Sequence, residues 1–359
     1  MRRICTRHLR AGMQLAQPVI SSNGKILLAK GQILRDSYIY RLIQLGVYSV
    51  YVVDPRFPDV DATDFLSEQT RLQALRLVRT ACTNLIAGSV LDVPAITEVV
   101  DMLIDDLSAK PNLLISLFDI RLKDDYTFAH SINVCSFAIL IGMAYALRKR
   151  QLRELAVGAL MHDLGKTLLP SEILQKPGPL SPVEYEKMQE HTSLGFDMLR
   201  RQGEIGLLSA HIALQHHERI DGNGYPRNLV GSEIHLYGRI VAVADVYDAL
   251  ISDRAYRPRY LPHKAAEILT EQSGAAFDSE VVRHFLRQVA FYPTGSLVRL
   301  STGVIGVVVD VNRPITTRPI VRVLYDSKGE EINDYYELDL SKHSDISIIE
   351  VVADETRLA

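Results

Sequence analysis

Between about residue 94 and residue 292 nearly every apolar pattern along the chain repeats with the helical period. Turn and breaker signals interrupt it at Lys110-Pro111, 165–170, 176–179, Gly203, 221–226 and Ser273-Gly274. This rhythm predicts roughly eight to ten helices and no strand. Ahead of it, short strand-like runs (QPVI, KILLA, VYSVYVV) alternate with turns at Ser22-Asn23-Gly24 and Lys30-Gly31, and one amphipathic segment over 36–45 ends at Gly46. A small α/β module over 1–54 is the expectation. The Pro- and Asp-rich PRFPDVDATD then reads as a linker, and Leu72, Leu75, Leu77, Val78, Cys82 and Leu85 predict a connector helix within 70–89, so 55–110 is expected to join two domains. Beyond Pro293 the period changes. SLVRLS, GVIGVVVDV, PIVRVLYD and DISIIEVV are β-branched runs between turn residues and predict a small antiparallel β subdomain over 293–359. The fold class expected is mainly α, a helical bundle over 111–292 between two small β-containing flanks.

The most apolar stretch, CSFAILIGMAYAL, spans only 135–147 between Asn133 and Arg148. A membrane span needs about 20 apolar residues, so a buried core helix is expected instead. The basic start, MRRICTRHLRAGMQLAQPVI, lacks the continuous apolar run of a signal peptide. Three scattered cysteines, Cys5, Cys82 and Cys135, fit neither a disulfide framework nor a thiolate zinc site, which points to a reducing, cytoplasmic setting. With 47% hydrophobic and 23% charged residues and a formal net charge of -3, the 359-residue chain is ordinary for a globular protein and gives no case for binding DNA, RNA or an anionic membrane.

The histidines change the picture. Six of eleven fall between His130 and His217. His130 (YTFAHSINV), His162-Asp163 (ALMHDLGK), His191 (MQEHTSLG), His216-His217 (QHHERIDGNGYP) and Asp245 (VAVADVYDAL) recur about 25 to 32 residues apart, one helical hairpin arm per ligand set. A lone histidine on an apolar helix is usually a hydrogen-bonded core residue, and His211 is left as one. Seven N/O donors on five successive helices are more than one zinc requires. Imidazole and carboxylate without thiolate suit two divalent ions, Fe or Mn first, with Zn or Ni as the other candidates. Asp163, with two carboxylate oxygens, is the natural bridge, and paired ions roughly 3.5–4 Å apart would activate a shared water for attack on phosphorus.

Lys166, one turn past Asp163, reads either as a lysine on last-turn carbonyls or as a cation for a phosphate oxygen. Asp248 follows Asp245 on the same helical face and reads as a partner for Lys166, a general acid for a departing alkoxide, or an exposed carboxylate. Arg254 and Arg257 (SDRAYRPRY) carry forks suited to phosphate or a guanine edge, and Tyr225 offers a ring for base stacking or simply packs its loop.

These motifs together resemble the HD-GYP subgroup of the HD phosphohydrolase superfamily, over about residues 118–292. The flanks, LRAGMQLAQPVI…GKILLAKGQIL and YPTGSLVRLSTGVIGVVVDVN, resemble the small module and β tail often found with such domains. The resemblance implies an HD-type helical fold and metal-dependent hydrolysis of cyclic di-GMP to pGpG, GMP or both. It implies His130, His162 and Asp245 at one ion, His191, His216 and His217 at the other, and Asp163 bridging. It also implies a Lys166–Asp248 pair near the scissile phosphate, with Tyr225, Arg254, Arg257 and Lys166 on the substrate. Some members carry a glutamate four residues before the first histidine that supports a third metal. Here that position is Tyr126, whose phenol, with an ordinary pKa of about 10, is a poor ligand for a hard cation, so a binuclear site is expected. The rival readings are a non-catalytic cyclic-dinucleotide signalling or docking module and a hydrolase of 3′,3′-cGAMP; a GYP loop that docks a diguanylate cyclase is a further reading that can coexist with catalysis. A homodimer is compatible with each.

Overall fold

The strand-forming runs at the two ends of the chain belong to one unit, which includes Met1–Phe65 and Val289–Ala359. The computed structural model describes the chain apart from residues 22–24, 48, 57, 61–65, 87–89, 110–125, 175, 177, 253–259, 313–314 and 353–359. Near the start, β1 (Arg2–Cys5) and a later strand pair antiparallel around a short hairpin of β2 (Val19–Ile20) with β3 (Ile26–Leu28). α1 (Asp36–Gln44) turns its apolar stripe, Ile39 and Leu42, onto Leu15, Val19, Leu34 and Val50, and β4 (Ser49–Val52) closes against β1. The C-terminal runs form an antiparallel sheet of five strands, β5 (Leu297–Leu300), β6 (Ile305–Asp310), β7 (Ile320–Tyr325), β8 (Glu331–Asp339) and β9 (Ile348–Val351), ordered β8-β7-β6-β5-β9. The linker docks on this sheet. Val60 packs with Leu297, Ile305 and Val307, Arg56 donates to Tyr325 (2.8 Å), and Arg322 forks onto Asp59 (2.8 and 2.6 Å).

The second unit, Leu66–Asn112 with Thr127–Gln288, is helical. In order it contains α2 (Glu68–Ile86), α3 (Val93–Ser108), α4 (Tyr126–Ala144), α5 (Lys149–Leu160), the short α6 (Ser171–Leu174), α7 (Pro182–Arg200), α8 (Leu207–Gln215), α9 (Leu236–Ile251), α10 (Pro262–Glu271) and α11 (Ser279–Leu286). The fold is thus mainly α with small β-containing flanks, as the periodicity predicts. The C-terminal part of α4 is apolar on nearly every side and packed all round: Val134, Phe137, Ala138, Ile139 and Ile141 are completely buried. Phe137 meets Tyr247 of α9 and Phe285 of α11 at ring-centroid distances of 5.8 and 5.9 Å. No helix among the described residues is long and apolar enough to cross a membrane.

Local signals fix where the functional helices begin. At α7 the Ser181 hydroxyl accepts from Glu184 N–H (3.3 Å), the Glu184 carboxylate accepts from Ser181 N–H (2.7 Å), and Pro182 takes the first turn. At α11, Asp278 accepts from the N–H groups of Glu280 and Val281 (2.8 and 3.2 Å).

One close approach sets α7 against the segment after α5. A Cβ built on Gly165 would lie 1.9 Å from the His191 carbonyl oxygen and 2.6 Å from the Gly195 nitrogen, both backbone atoms. Only a hydrogen at this position allows the contact. Gly165→Ala is therefore expected to push the two backbones apart and cost about 3 kcal/mol, the upper end of overpacking. Gly195→Ala, whose Cβ would come no closer than 3.2 Å to the Gly165 nitrogen, should cost clearly less. Denaturant unfolding of the two variants measures the difference, and equal midpoints would contradict it.

Candidate metal centre

Five helices of the second unit each deliver their donors to one buried place. α4 brings His130, the turn after α5 brings His162 and Asp163, and α7 brings His191. His216 caps the C-terminus of α8, with His217 beside it, and α9 brings Asp245. The donor atoms sort into two groups, each within 4.8 Å: Asp163 with His191, His216 and His217, and His130 with His162 and Asp245. Adjacent histidines on a regular helix point about 100° apart, so His216 and His217 converge only because the helix ends there.

Hydrogen bonds behind the rings fix what the rings present in front. The Nδ1–H of His162 donates to the Ala159 carbonyl (2.8 Å), that of His191 to Met188 (2.6 Å), and that of His216 to Ile212 and Ala213 (3.1 and 3.0 Å). A carbonyl oxygen only accepts, so Nδ1 carries the proton and Nε2 is left as a lone pair. His130 does the same with a carboxylate, donating from Nδ1 to Asp248 Oδ2 at 2.7 Å. The consequence is visible where the lone pairs meet. Nε2 of His191 and Nε2 of His216 face each other at 3.4 Å, and neither has a proton to offer the other. His162 Nε2 and Asp163 Oδ1 are buried without a hydrogen-bond partner. Imidazole lone pairs gathered in this way beside an unpaired carboxylate oxygen, with no donor among the rings, fit a cation.

Asp163 stands between the two groups. Its Oδ1 lies 3.5 Å from His191 Nε2 and 3.7 Å from His216 Nε2, while its Oδ2 lies 3.5 Å from His162 Nε2 and 3.8 Å from His130 Nε2. Burial alone would raise its carboxyl, but the Lys166 ammonium and His162 hold it well below the usual range. Burial would likewise raise Asp245, and the His130 hydrogen bond holds it down (Nε2 to Oδ1, 3.2 Å). Burial pushes His191 down to about 4 and lowers His216 and His217, so these rings are neutral and available as ligands. Burial works the same way on His130, but Asp245 and Asp248 on either side outweigh it and raise that ring to about 9. The two carboxylates favour positive charge at this imidazole, whether a proton or a metal ion.

Lys166 donates to Asp163 Oδ2 (2.5 Å) rather than pairing with Asp248, and about a third of its side chain remains exposed. Asp248 is neither an exposed carboxylate nor a partner of Lys166. It is fully buried, with its oxygens on His130 and Asn133. Tyr225 stacks on His217 (centroids 4.8 Å, planes 30° apart) and meets Tyr185 of α7 edge-on at 6.2 Å. Arg254 and Arg257 lie outside the described residues, as does the side chain of Tyr126.

Glu218 is a residue that the motif reading passes over. Its buried carboxylate accepts from Arg227 N–H (2.8 Å) and Leu229 N–H (3.0 Å), tying the exit of the loop to its start. At Gly224 the loop crosses back so closely that a Cβ would sit 2.3 Å from the Arg219 nitrogen. Asp221 accepts from Asn223 N–H (3.0 Å), and Tyr225 N–H donates to the His217 carbonyl (3.2 Å), so the ring of Tyr225 is held over the His217 imidazole. A glutamate after two histidines was the signal available in the sequence, but only the fold shows that it is buried and which N–H groups it serves.

The HD domain family matches residues 107–281, and the KOW domain associated with HD domain matches 297–358. A cyclic di-GMP phosphodiesterase of Pseudomonas aeruginosa is 36% identical over 243 residues, which is 68% of this chain and 58% of that protein. A cyclic di-GMP phosphodiesterase of Thermotoga maritima is 42% identical over 167 residues, 46% of this chain and 45% of that one. The 3′3′-cGAMP-specific phosphodiesterase 2 of Vibrio cholerae is 31% identical over 191 residues, 53% of this chain and 37% of that one. The chain spans about half the length of the curated relatives it matches.

Removing the Glu218 carboxylate would leave two half-buried N–H groups, those of Arg227 and Leu229, without this acceptor. Glu218→Ala is expected to lower unfolding free energy by about 2 kcal/mol or more, and Glu218→Gln, which keeps one acceptor oxygen, by roughly half as much. Urea unfolding checks this, and an unchanged midpoint in the alanine variant would contradict the staple.

Proposed function

We propose that the chain is a member of the HD-GYP subgroup of the HD-domain family and a metal-dependent phosphodiesterase that hydrolyses cyclic di-GMP to pGpG, GMP or both, a reading supported by the HD-domain match and by the cyclic di-GMP phosphodiesterases it is similar to. The observation that carries the reading is the two-sided placement of Asp163, one oxygen toward His191 and His216 and the other toward His130 and His162. On this reading His130, His162 and Asp245 hold one divalent ion, and His191, His216 and His217 hold the other. Asp163 serves both. The all-N/O donor set favours Fe or Mn. Ions held there supply activation of water and neutralisation of charge developing at the phosphorus.

The chain's own residues provide the rest. The Lys166 ammonium, partly exposed and already beside Asp163, meets a non-bridging phosphate oxygen. Tyr225 forms the rim on which a guanine ring stacks, and Arg254 and Arg257 are assigned to the substrate by resemblance. The GYP loop is held rigid by Glu218, which supports a defined pocket wall. A cytoplasmic setting follows from the substrate proposed.

The test begins with protein purified under reducing, low-oxygen conditions, with ions counted and cyclic di-GMP breakdown followed in Fe(II) or Mn(II). 3′,3′-cGAMP is run in parallel. Two ions per chain and preferential turnover of cyclic di-GMP are expected, lost on chelation and restored by Mn(II). Asp163→Ala should release ions and lower turnover by at least roughly 100-fold, the scale of losing one charge-stabilising group. Absence of both ions and turnover under every metal would overturn the reading, and full activity in Asp163→Ala would remove the bridge.

A further inference from the structure

The helical spacing of α4 and α9 builds a small polar lattice behind the ring of His130. His130 and Asn133 are three residues apart on α4, and Asp245 and Asp248 are three apart on α9, so each pair shares a face. Across the two helices, His130 Nε2 lies 3.2 Å from Asp245, His130 Nδ1–H donates to Asp248 Oδ2 at 2.7 Å, and the Asn133 amide donates to Asp248 Oδ1 at 2.9 Å. Asp248 has no exposed surface at all. A carboxylate placed there must be held by donors, and a ring N–H with an amide N–H supplies one to each oxygen. Only the NH₂ end of Asn133 suits the contact, because its carbonyl would meet a second acceptor.

We propose that Asn133 is a positioning residue of the metal centre. By gripping Oδ1 it fixes the carboxylate plane of Asp248. Oδ2 is thereby aimed at His130 Nδ1, and the ring is held with its Nε2 toward Asp245 and Asp163. Asp248 accordingly acts through His130 and not as the proton donor for a leaving alkoxide, since a fully buried carboxylate occupied at both oxygens does not reach one. The inference rests on the reading of His130, His162 and Asp245 as ligands of one ion, and it adds a residue that is not a ligand.

The test uses the full chain and Mn(II) binding measured by calorimetry, with ion counts after desalting and unfolding of the metal-free protein as a control. Asn133→Leu, close in size but without a donor, is expected to weaken one of two Mn(II) sites by roughly 10-fold, the lower end of what outer partners of a ligating histidine contribute, while the other site is unchanged. Asp248→Asn should weaken the same site, and Asn133→Leu added to it should change nothing further, because the path through Asp248 is already broken. Should the leucine variant fail to fold, Asn133→Ala replaces it with the same expectation. Wild-type constants at both sites in the Asn133 variant would overturn the proposal, and so would additive losses in the double variant. A wild-type chain that binds no ion would instead bring down the underlying reading of the centre.

Discussion

The carboxylate of Asp163 faces two ways, and much of the helical unit is arranged so that it can. Its side chain is almost wholly buried, yet it stays ionised because the Lys166 ammonium and His162 lie beside it. Two further conditions have to hold. The turn after α5 must bring it level with His191, which the backbone contact at Gly165 secures, and α8 must end at His216 so that successive imidazoles converge. A slip in either would leave one oxygen of Asp163 facing apolar side chains, where a carboxylate is costly.

Around that carboxylate the helices act as rigid carriers for ring orientation. Three of the histidines spend their Nδ1–H on carbonyls of their own helix or turn, and a fourth on Asp248. Each bond is local or crosses only from α4 to α9, so the tautomers are set by folding and need no ligand to choose them. The result is a concentration of acceptors, two imidazole lone pairs 3.4 Å apart among them, that is electrostatically unfavourable until a cation arrives. Pre-organisation of this kind would store repulsion in the fold and release it if a cation bound. The apolar packing of Phe137, Tyr247 and Phe285 around α4 and α9 keeps those helices in register.

The donors were legible in the sequence because each sits at one place on an apolar helix and the helices recur at nearly even spacing. Their grouping into two sets was implied by resemblance; in space the donor atoms of Asp163, His191, His216 and His217 cluster together, and those of His130, His162 and Asp245 form a second cluster. What the sequence left open was partnership across space. Lys166 and Asp248 read as a pair from their motifs, but one reaches Asp163 and the other turns inward to His130. Asn133 looked like a flank of an apolar run, and Glu218 like a polar residue after two histidines. Their roles depend on which N–H or ring lies opposite, information that helical periodicity does not contain. Gly165 marked a break in the pattern without revealing the backbone it meets. At the ends of the chain, β runs about 300 residues apart were each recognisable as strands. Their membership in one unit, and the docking of Asp59 and Val60 on the C-terminal sheet, follow from long-range contacts.

Electron paramagnetic resonance of the Mn(II)-loaded protein asks most directly whether one carboxylate serves two ions. A shared Asp163 predicts an exchange-coupled signal from paired Mn(II), present at full loading. The uncoupled hyperfine pattern of isolated Mn(II) at full loading, whether from one ion per chain or two, would contradict it.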